Sequence, residues 1–216
     1  MKTTLVSRFF VATVGVLAFI LATPSTVFPA VAQSDAAAHQ HANTSGLKVS
    51  MVDYVVPDLW LVRDDGKKVL LPKELDDGRP LVMNFIYTTC PGICPLMSQV
   101  FSQFQERLGA EREKVHMVSI SIDPEQDSPA RLREYAARFS AGDQWRHYTG
   151  TVSASIAAQK AFGAYRGDKM SHDPLTLMRA APGKPWIRID GFATSNDLLE
   201  QYISVAAMCE PGKVGR

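Results

Sequence analysis

The stretch LVMNFIYTTCPGICPLM, residues 81–97, constrains this chain more than any other. Leu81 to Tyr87 is an apolar run with Val, Ile and two aromatics, short enough to be a buried strand. It runs straight into Thr88-Thr89-Cys90-Pro91-Gly92-Ile93-Cys94-Pro95, and Pro95 falls in the first turn of a predicted helix, where a missing N–H does no harm. Two cysteines therefore sit on the turn between a buried strand and a helix N-terminus. Unpaired N–H groups and the helix dipole stabilise negative charge there, so the place favours thiolates. The spacing is Cys-x3-Cys, and if the turn is already helical both sulfurs lie on one face. Two soft thiolates side by side make a clamp for Cu(I) or a closable disulfide. A plain disulfide staple is the weaker reading, because so short a loop has little chain entropy to remove.

The rest of the chain supplies a scaffold around that turn. Leu59 to Val62 and Val69 to Leu71 flank an Asp65-Gly66 pair, which predicts a β-hairpin before the cysteines. After them, Leu96, Val100, Phe101, Phe104 and Leu108 repeat at helical spacing over 95–108, and Gly109 ends the helix. Val115 to Ile122 reads as a second strand, closing a βαβ unit. Ser128 caps a helix with Pro129 at its first position, and that helix is expected to bury Leu132, Tyr135, Ala136 and Phe139. A strand over 145–148 follows. A helix over 153–165 then carries Ile156, Ala157, Ala161 and Phe162 on its apolar side. Leu175 to Met178 and Trp186 to Ile189 predict a hairpin around Pro182-Gly183-Lys184. Thr194 and Asp197 form a capping box, with Leu198, Leu199, Tyr202 and Ile203 as the buried face of the last helix.

From residue 81 the order is β-α-β, an additional α-β, then α-β-β-α. Without the insertion this is a thioredoxin-like core. The expected fold is therefore α/β, thioredoxin-like, with an αβ insertion and an N-terminal β-hairpin. Parallel strands of such sheets carry their site at the C-terminal edge. A strand antiparallel to them begins at that edge, so the loop before Leu175 should lie near Cys90 and Cys94. That loop contains His172, in a polar stretch where no apolar periodicity requires a histidine for the core.

The N-terminus is not part of this fold. Lys2 and Arg8 make a basic start, Phe9 to Ala22 is nearly all apolar, and Ala30-Val31-Ala32 is an A-x-A cleavage site. Residues 1–32 read as a secretory signal, 33–48 as a flexible linker of Ala, Ser, Gln, His and Asn, and 49–216 as the folded domain. The apolar run is shorter than the ~20 residues of a spanning helix. Export to the periplasm or another extracytoplasmic compartment is expected, with membrane anchoring the alternative if the signal stays uncleaved. The formal net charge of +1 becomes −1 once Lys2 and Arg8 are removed, and nothing points to nucleic acid. Cys209 is the third, odd cysteine and reads as a half-buried thiol at a helix end. His39 and His41 read as solvated tail rather than as ligands of a metal ion.

Two thiolates and one imidazole form a three-coordinate donor set that suits Cu(I) and, with an added ligand, Cu(II). Zinc would want a fourth ligand or an open catalytic position. Over roughly Val56 to Met208 the sequence closely resembles the Sco (SenC) copper proteins. The carriers are NFIYTTCPGICPLM, VSISIDPEQDSP, and the loop SHDPL followed by WIRIDGFAT. The resemblance implies copper ligation by Cys90, Cys94 and His172. It also implies delivery of copper to the Cu-A centre of cytochrome c oxidase or a related respiratory oxidase. The partners implied are the oxidase copper subunit or another copper-accepting protein, with other copper or thiol carriers. Asp173 is a departure, since the family often has Ser or Thr after the histidine. An acid there can hydrogen-bond the imidazole or change the charge of the site. Asp123 and Asp127 match a D-P-x-x-D element, read as a turn and helix cap in preference to support of the ligands. Met97 and Met170 read as packing residues.

A periplasmic thiol-disulfide oxidoreductase that keeps target cysteines reduced is the competing function, since it needs Cys90 and Cys94 but not His172. A peroxidase on the same fold is disfavoured, because Met83 to Thr89 lacks the proline that peroxiredoxin-type sites place before the thiolate.

Overall fold

In a computed structural model of the chain, the apolar run of residues 81–87 forms a central strand, with all six residues of Leu81–Ile86 buried. The structure describes residues 46–207, which all belong to one compact unit. The expected signal segment of residues 1–32, His39, His41 and Cys209 lie outside the described residues. Among the described residues no helix is long and apolar enough to cross a membrane.

In chain order the strands are β1 (Lys48–Val52), β2 (Trp60–Arg63), β3 (Lys68–Leu70), β4 (Leu81–Ile86), β5 (His116–Ser121), β6 (Trp145–Thr149), β7 (Leu175–Arg179) and β8 (Trp186–Asp190). The helices are α1 (Leu71–Leu75), α2 (Ile93–Leu108), α3 (Pro129–Arg138), α4 (Val152–Ala161) and α5 (Ser195–Ala207). One sheet joins all eight strands in the order β1-β8-β7-β4-β5-β6-β2-β3. The expected βαβ unit is present, with β4 and β5 parallel and in register from Leu81–His116 to Ile86–Ser121. The inserted α3–β6 adds a further parallel strand on β5. The β2–β3 hairpin then pairs antiparallel with β6 and forms one edge of the sheet. At the other edge β1 pairs with β8.

Strand alternation divides the core between the two faces of the sheet. Met83, Phe85, Val118, Ile120 and Leu177 join Phe162 and Trp186 on one side. Val82, Met117 and Met178 meet Phe101 and Phe104 of α2 and Leu198 of α5 on the other. Each such fully buried side chain contributes roughly 1.5–3 kcal/mol, which holds the helices to the sheet. The expected caps are in place. The Ser128 side chain accepts from Arg131 N, and Thr194 and Asp197 exchange the two bonds of a capping box.

Four helical faces differ from expectation. Leu96 and Ile203 are each 59% exposed, and of the α3 residues only Leu132 and Tyr135 are fully buried, with Ala136 and Phe139 half-buried. Helix α4 stops at Ala161 instead of running to Tyr165, because Gly163 takes a left-handed φ of 62° just past the cap. Its buried face is Ala154, Ser155, Ala158 and Gln159, while Ile156 and Ala157 are half-buried. Two polar residues can occupy that face because Ser155 Oγ donates to the Ser121 carbonyl at 2.9 Å and Gln159 donates back to Ser155.

Candidate metal centre

The site is assembled where β4 ends. Asn84 pairs with Thr176, so antiparallel β7 starts at the edge where β4 releases the cysteine loop. Helix α2 begins at Ile93 and has no side-chain cap. Its free N–H groups turn to sulfur instead: Cys94 N donates to Cys90 Sγ at 3.3 Å. One strand-end N–H does the same for the second cysteine, with Tyr87 N donating to Cys94 Sγ at 3.4 Å.

The two cysteines are thus adjacent but unequal. Cys90 is half-buried and Cys94 is 1% exposed. Burial pushes the Cys90 thiol up, but the N–H groups of Cys94 and Gly92, with Cys94 and Tyr87 side chains, more than offset it, and its pKa falls below the ordinary value. Burial pushes the Cys94 thiol well up, and neighbouring Cys90 and Asp127 add to this against the single Tyr87 N–H. The expectation that the helix terminus favours two thiolates therefore holds for Cys90 alone, because Cys94 lies too deep for the ends of α2 to serve it.

His172 comes to the same place, as the topology predicted, but it is buried rather than loop-exposed, at 6%. A 3-10 turn over Lys169–Ser171, with the Asp168 side chain accepting from Met170 N, turns the chain inward. His172 Nε2 lies 3.0 Å from the Phe85 carbonyl, an acceptor, so this nitrogen carries the proton and Nδ1 is left with its lone pair. Burial lowers the His172 pKa more than the Phe85 bond raises it, which keeps the ring neutral near pH 7. Asp173 does not touch the imidazole, since its carboxylate pairs with Arg166 at 2.7 Å.

Cys90 and His172 line one pocket of about 130 Å³, together with Tyr87 and Met170. Cys94 lies beneath, in an apolar cluster with Ile86, Leu132 and Tyr135. Among the described residues no three His, Cys, Asp or Glu side chains converge closely enough to hold a metal ion as they stand. The Cys94 sulfur accepts the Tyr87 N–H and also lies against the Cys90 side chain.

The D-P-x-x-D element does more than turn the chain. The turn is there, with Asp127 N donating to the Asp123 carbonyl at 2.9 Å, but the helix cap is Ser128. The fully buried Asp127 carboxylate instead accepts from Thr88 N at 3.2 Å, Thr88 Oγ1 at 2.5 Å and Ser121 Oγ at 2.6 Å. It therefore clamps the cysteine loop to the end of β5. Asp123 pairs with Lys169 at 2.6 Å and ties the same turn to the His172 loop. Met97 is buried packing, as expected. Met170 is not: it is 63% exposed and its sulfur accepts from the Tyr87 hydroxyl at 3.4 Å. Neither Tyr87 nor the Phe85 carbonyl stands out in the sequence, since nothing local marks a strand residue as the support of a loop 87 positions away.

The family model described as SCO1/SenC matches residues 53–198, more than half of the chain. A SCO1 protein homolog of Bacillus subtilis is 35% identical over 116 residues, covering 52% of this chain and 59% of that protein. A Stutzerimonas stutzeri protein named for copper binding is 31% identical over 109 residues, 50% of this chain and 52% of that protein. The chain thus matches between a half and three fifths of the length of these curated relatives. The solved structure of BsSco, described as a member of the Sco family of cytochrome c oxidase assembly proteins, superposes with a TM-score of 0.61 at 28% identity, over 74% of this chain and 97% of that one. A family model that spans both the cysteine loop and the histidine loop, on a fold shared with a solved member, places the chain in the SCO1/SenC family.

Proposed function

We propose that this protein carries copper, holding it on Cys90, Cys94 and His172 and delivering it to the Cu-A centre of cytochrome c oxidase or a related respiratory oxidase. The observation that carries the reading is that Cys90 and His172, 82 positions apart, line one small pocket with Cys94 directly beneath. The donor set fits: two sulfurs and one neutral imidazole are soft enough for Cu(I), and an added oxygen or nitrogen donor suits Cu(II). Family membership, the copper-binding name of the Stutzerimonas relative and the oxidase-assembly description of BsSco support it.

The roles follow from the geometry. Cys90, biased toward thiolate and facing the pocket, meets the ion first. Cys94 gives up its Tyr87 N–H bond and a proton to supply the second sulfur. His172 offers Nδ1, oriented by its Nε2–H on the Phe85 carbonyl. Asp127 keeps the loop that bears Cys90 in register. The protein works outside the cytoplasm in this reading, after cleavage behind Ala32, and the intact mass of the exported chain tests that point.

The inequality of the thiols favours a second reading, a thiol-disulfide reductase. A half-buried, pocket-facing thiol biased toward thiolate and a buried protonated partner are what attack and resolution require. Cys90 would attack a target disulfide and Cys94 would displace the target thiol, leaving a Cys90–Cys94 disulfide and a reduced target. His172→Ala separates the two. We expect the variant to keep its dithiol–disulfide cycle, lose its stable Cu(II) absorption and fail to support oxidase assembly. Because His172 is buried and hydrogen-bonded, a stability loss of about 1–3 kcal/mol is expected and melting is measured alongside. Full oxidase assembly without Cu(II) binding would hand the function to the reductase.

A further inference from the structure

One soft donor beyond these three residues reaches the same pocket. Met170 is 63% exposed, yet its sulfur is held by the Tyr87 hydroxyl at 3.4 Å. Its backbone is held too, by the Asp168 carboxylate on Met170 N at 2.9 Å. Met170 and His172 leave the same 3-10 turn, and Lys169 between Met170 and Asp168 pins that turn through its ion pair with Asp123 and its position 5.7 Å over the Tyr87 ring. Fixing a long, exposed side chain costs up to about 2 kcal/mol of rotamer freedom, so an exposed methionine with an anchored sulfur calls for a reason. Packing does not provide it, because most of the side chain faces solvent.

Placement provides one. The Tyr87 bond fixes the thioether on the wall of the pocket that Cys90 and His172 also line. A thioether sulfur has two lone pairs; the Tyr87 hydroxyl uses one and leaves the other for a soft cation. Cys94, at 1% exposure, is reached last by anything that enters from solvent. Carboxylates and water compete poorly for Cu(I) against such a sulfur.

We propose that Met170 is a fourth, outer Cu(I) donor of this site, on which the ion lands before it reaches Cys94 and from which it departs. The proposal rests on the copper reading above. The step is a ligand exchange with no change of oxidation state. A bond from Cu(I) to Met170 Sδ forms as the bond to the delivering carrier's ligand breaks, and the proton displaced from Cys94 passes to solvent when that sulfur binds. On release the order reverses, and Met170 holds the ion while the acceptor's ligand replaces the Cys90 and Cys94 thiolates.

The test compares the reduced exported chain with its Met170→Leu and Cys90→Ser variants, each labelled with methyl-13C methionine and titrated anaerobically with Cu(I) against a chromophoric chelator. Leucine keeps the bulk and the exposed position, so melting should not change. The Met170 methyl resonance, identified by its absence from Met170→Leu, should shift on Cu(I) loading, and Met170→Leu should bind Cu(I) about tenfold more weakly. An unmoved methyl together with unchanged affinity in Met170→Leu, in a protein whose Cys90→Ser variant loses Cu(I), would overturn the Met170 role and leave the three-ligand reading intact. A wild-type chain that takes up no Cu(I) would overturn both.

Discussion

His172 and His147 are both taken out of solvent by this fold, at 6% and 0% exposure, and they end in opposite chemical circumstances. His172 leaves the sheet at the edge where β4 ends. One nitrogen is spoken for by the Phe85 carbonyl and the ring faces a pocket shared with Cys90. His147 stands in the middle of β6, opposite Ser119 of β5, and Asp64 holds its backbone, donating its N–H to the His147 carbonyl at 2.8 Å. Its ring lies against Trp145 at 5.1 Å and Tyr135 at 6.3 Å, and neither ring nitrogen has a hydrogen-bond partner. Asp64 Oδ2 comes to 3.7 Å of Nδ1, but that carboxylate is committed to the His147 backbone N–H at 3.1 Å. Burial alone does not make a ligand. A loop at a strand's C-terminal edge can present a lone pair to a cavity, whereas a mid-strand residue can only pack.

The largest effect should come from the His172 side of the contrast. Cys90→Ser removes the pocket-facing sulfur and leaves Cys94 turned to the Tyr87 N–H, so Cu(I) loading of the reduced protein should fall to background. Metal analysis after gel filtration measures it. Retention of a full equivalent of copper would mean that the ion sits elsewhere and that the two histidine environments do not differ as argued.

The His147 side should respond in stability and not in copper. His147→Ala opens a cavity beneath Trp145 and Tyr135 and should cost about 2–4 kcal/mol, read as a lowered midpoint in urea. Its Cu(I) stoichiometry should match wild type. Lost loading in a folded His147→Ala protein would show that the two regions are coupled.

Much of this was legible in the chain because punctuation and periodicity are local. The run Leu81–Ile86, the Ser128-Pro129 cap and the Thr194/Asp197 box each carry their own cause within a few residues. The approach of the His172 loop to the cysteines followed from strand order alone. Other features depend on distant chain and left no local mark. Leu96 and Ile203 obey helical spacing, but periodicity does not say how wide a stripe the sheet will cover. Asp127 reads as a turn residue until Thr88, 39 positions earlier, is brought against it. The difference between Cys90 and Cys94 is one of depth, and depth is a property of the packed helix rather than of the Cys-x3-Cys spacing.

The smallest effect concerns protons. Burial lowers the pKa of His147, with Arg146 adding to the shift and Asp64 opposing it; burial lowers His116 as well, against Asp77. In the folded protein both rings are held neutral below the ordinary histidine value of about 6.5, at which the unfolded chain protonates. Below that value the unfolded state binds more protons, so stability falls as pH drops through about 6.5 and keeps falling until the folded-state pKa is reached. Each such ring contributes a slope of up to about 1.4 kcal/mol per pH unit. The carboxylates Asp64, Asp65 and Asp77 have lowered pKa values and release their contribution only below the ordinary carboxylate range, so the interval from about pH 7 to about pH 5 isolates the histidines. His147→Phe keeps a ring of similar size among Trp145 and Tyr135 and removes the titration. Its stability should decline less steeply over that interval than that of wild type, in urea titrations of the reduced, copper-free chain. Equal slopes would mean that the His147 pKa is the same in the folded and unfolded chain, and a steeper decline in His147→Phe than in wild type would mean that His147 is already protonated in the folded protein and paired with Asp64; either would require the contrast between a sealed neutral ring and an open one to be redrawn.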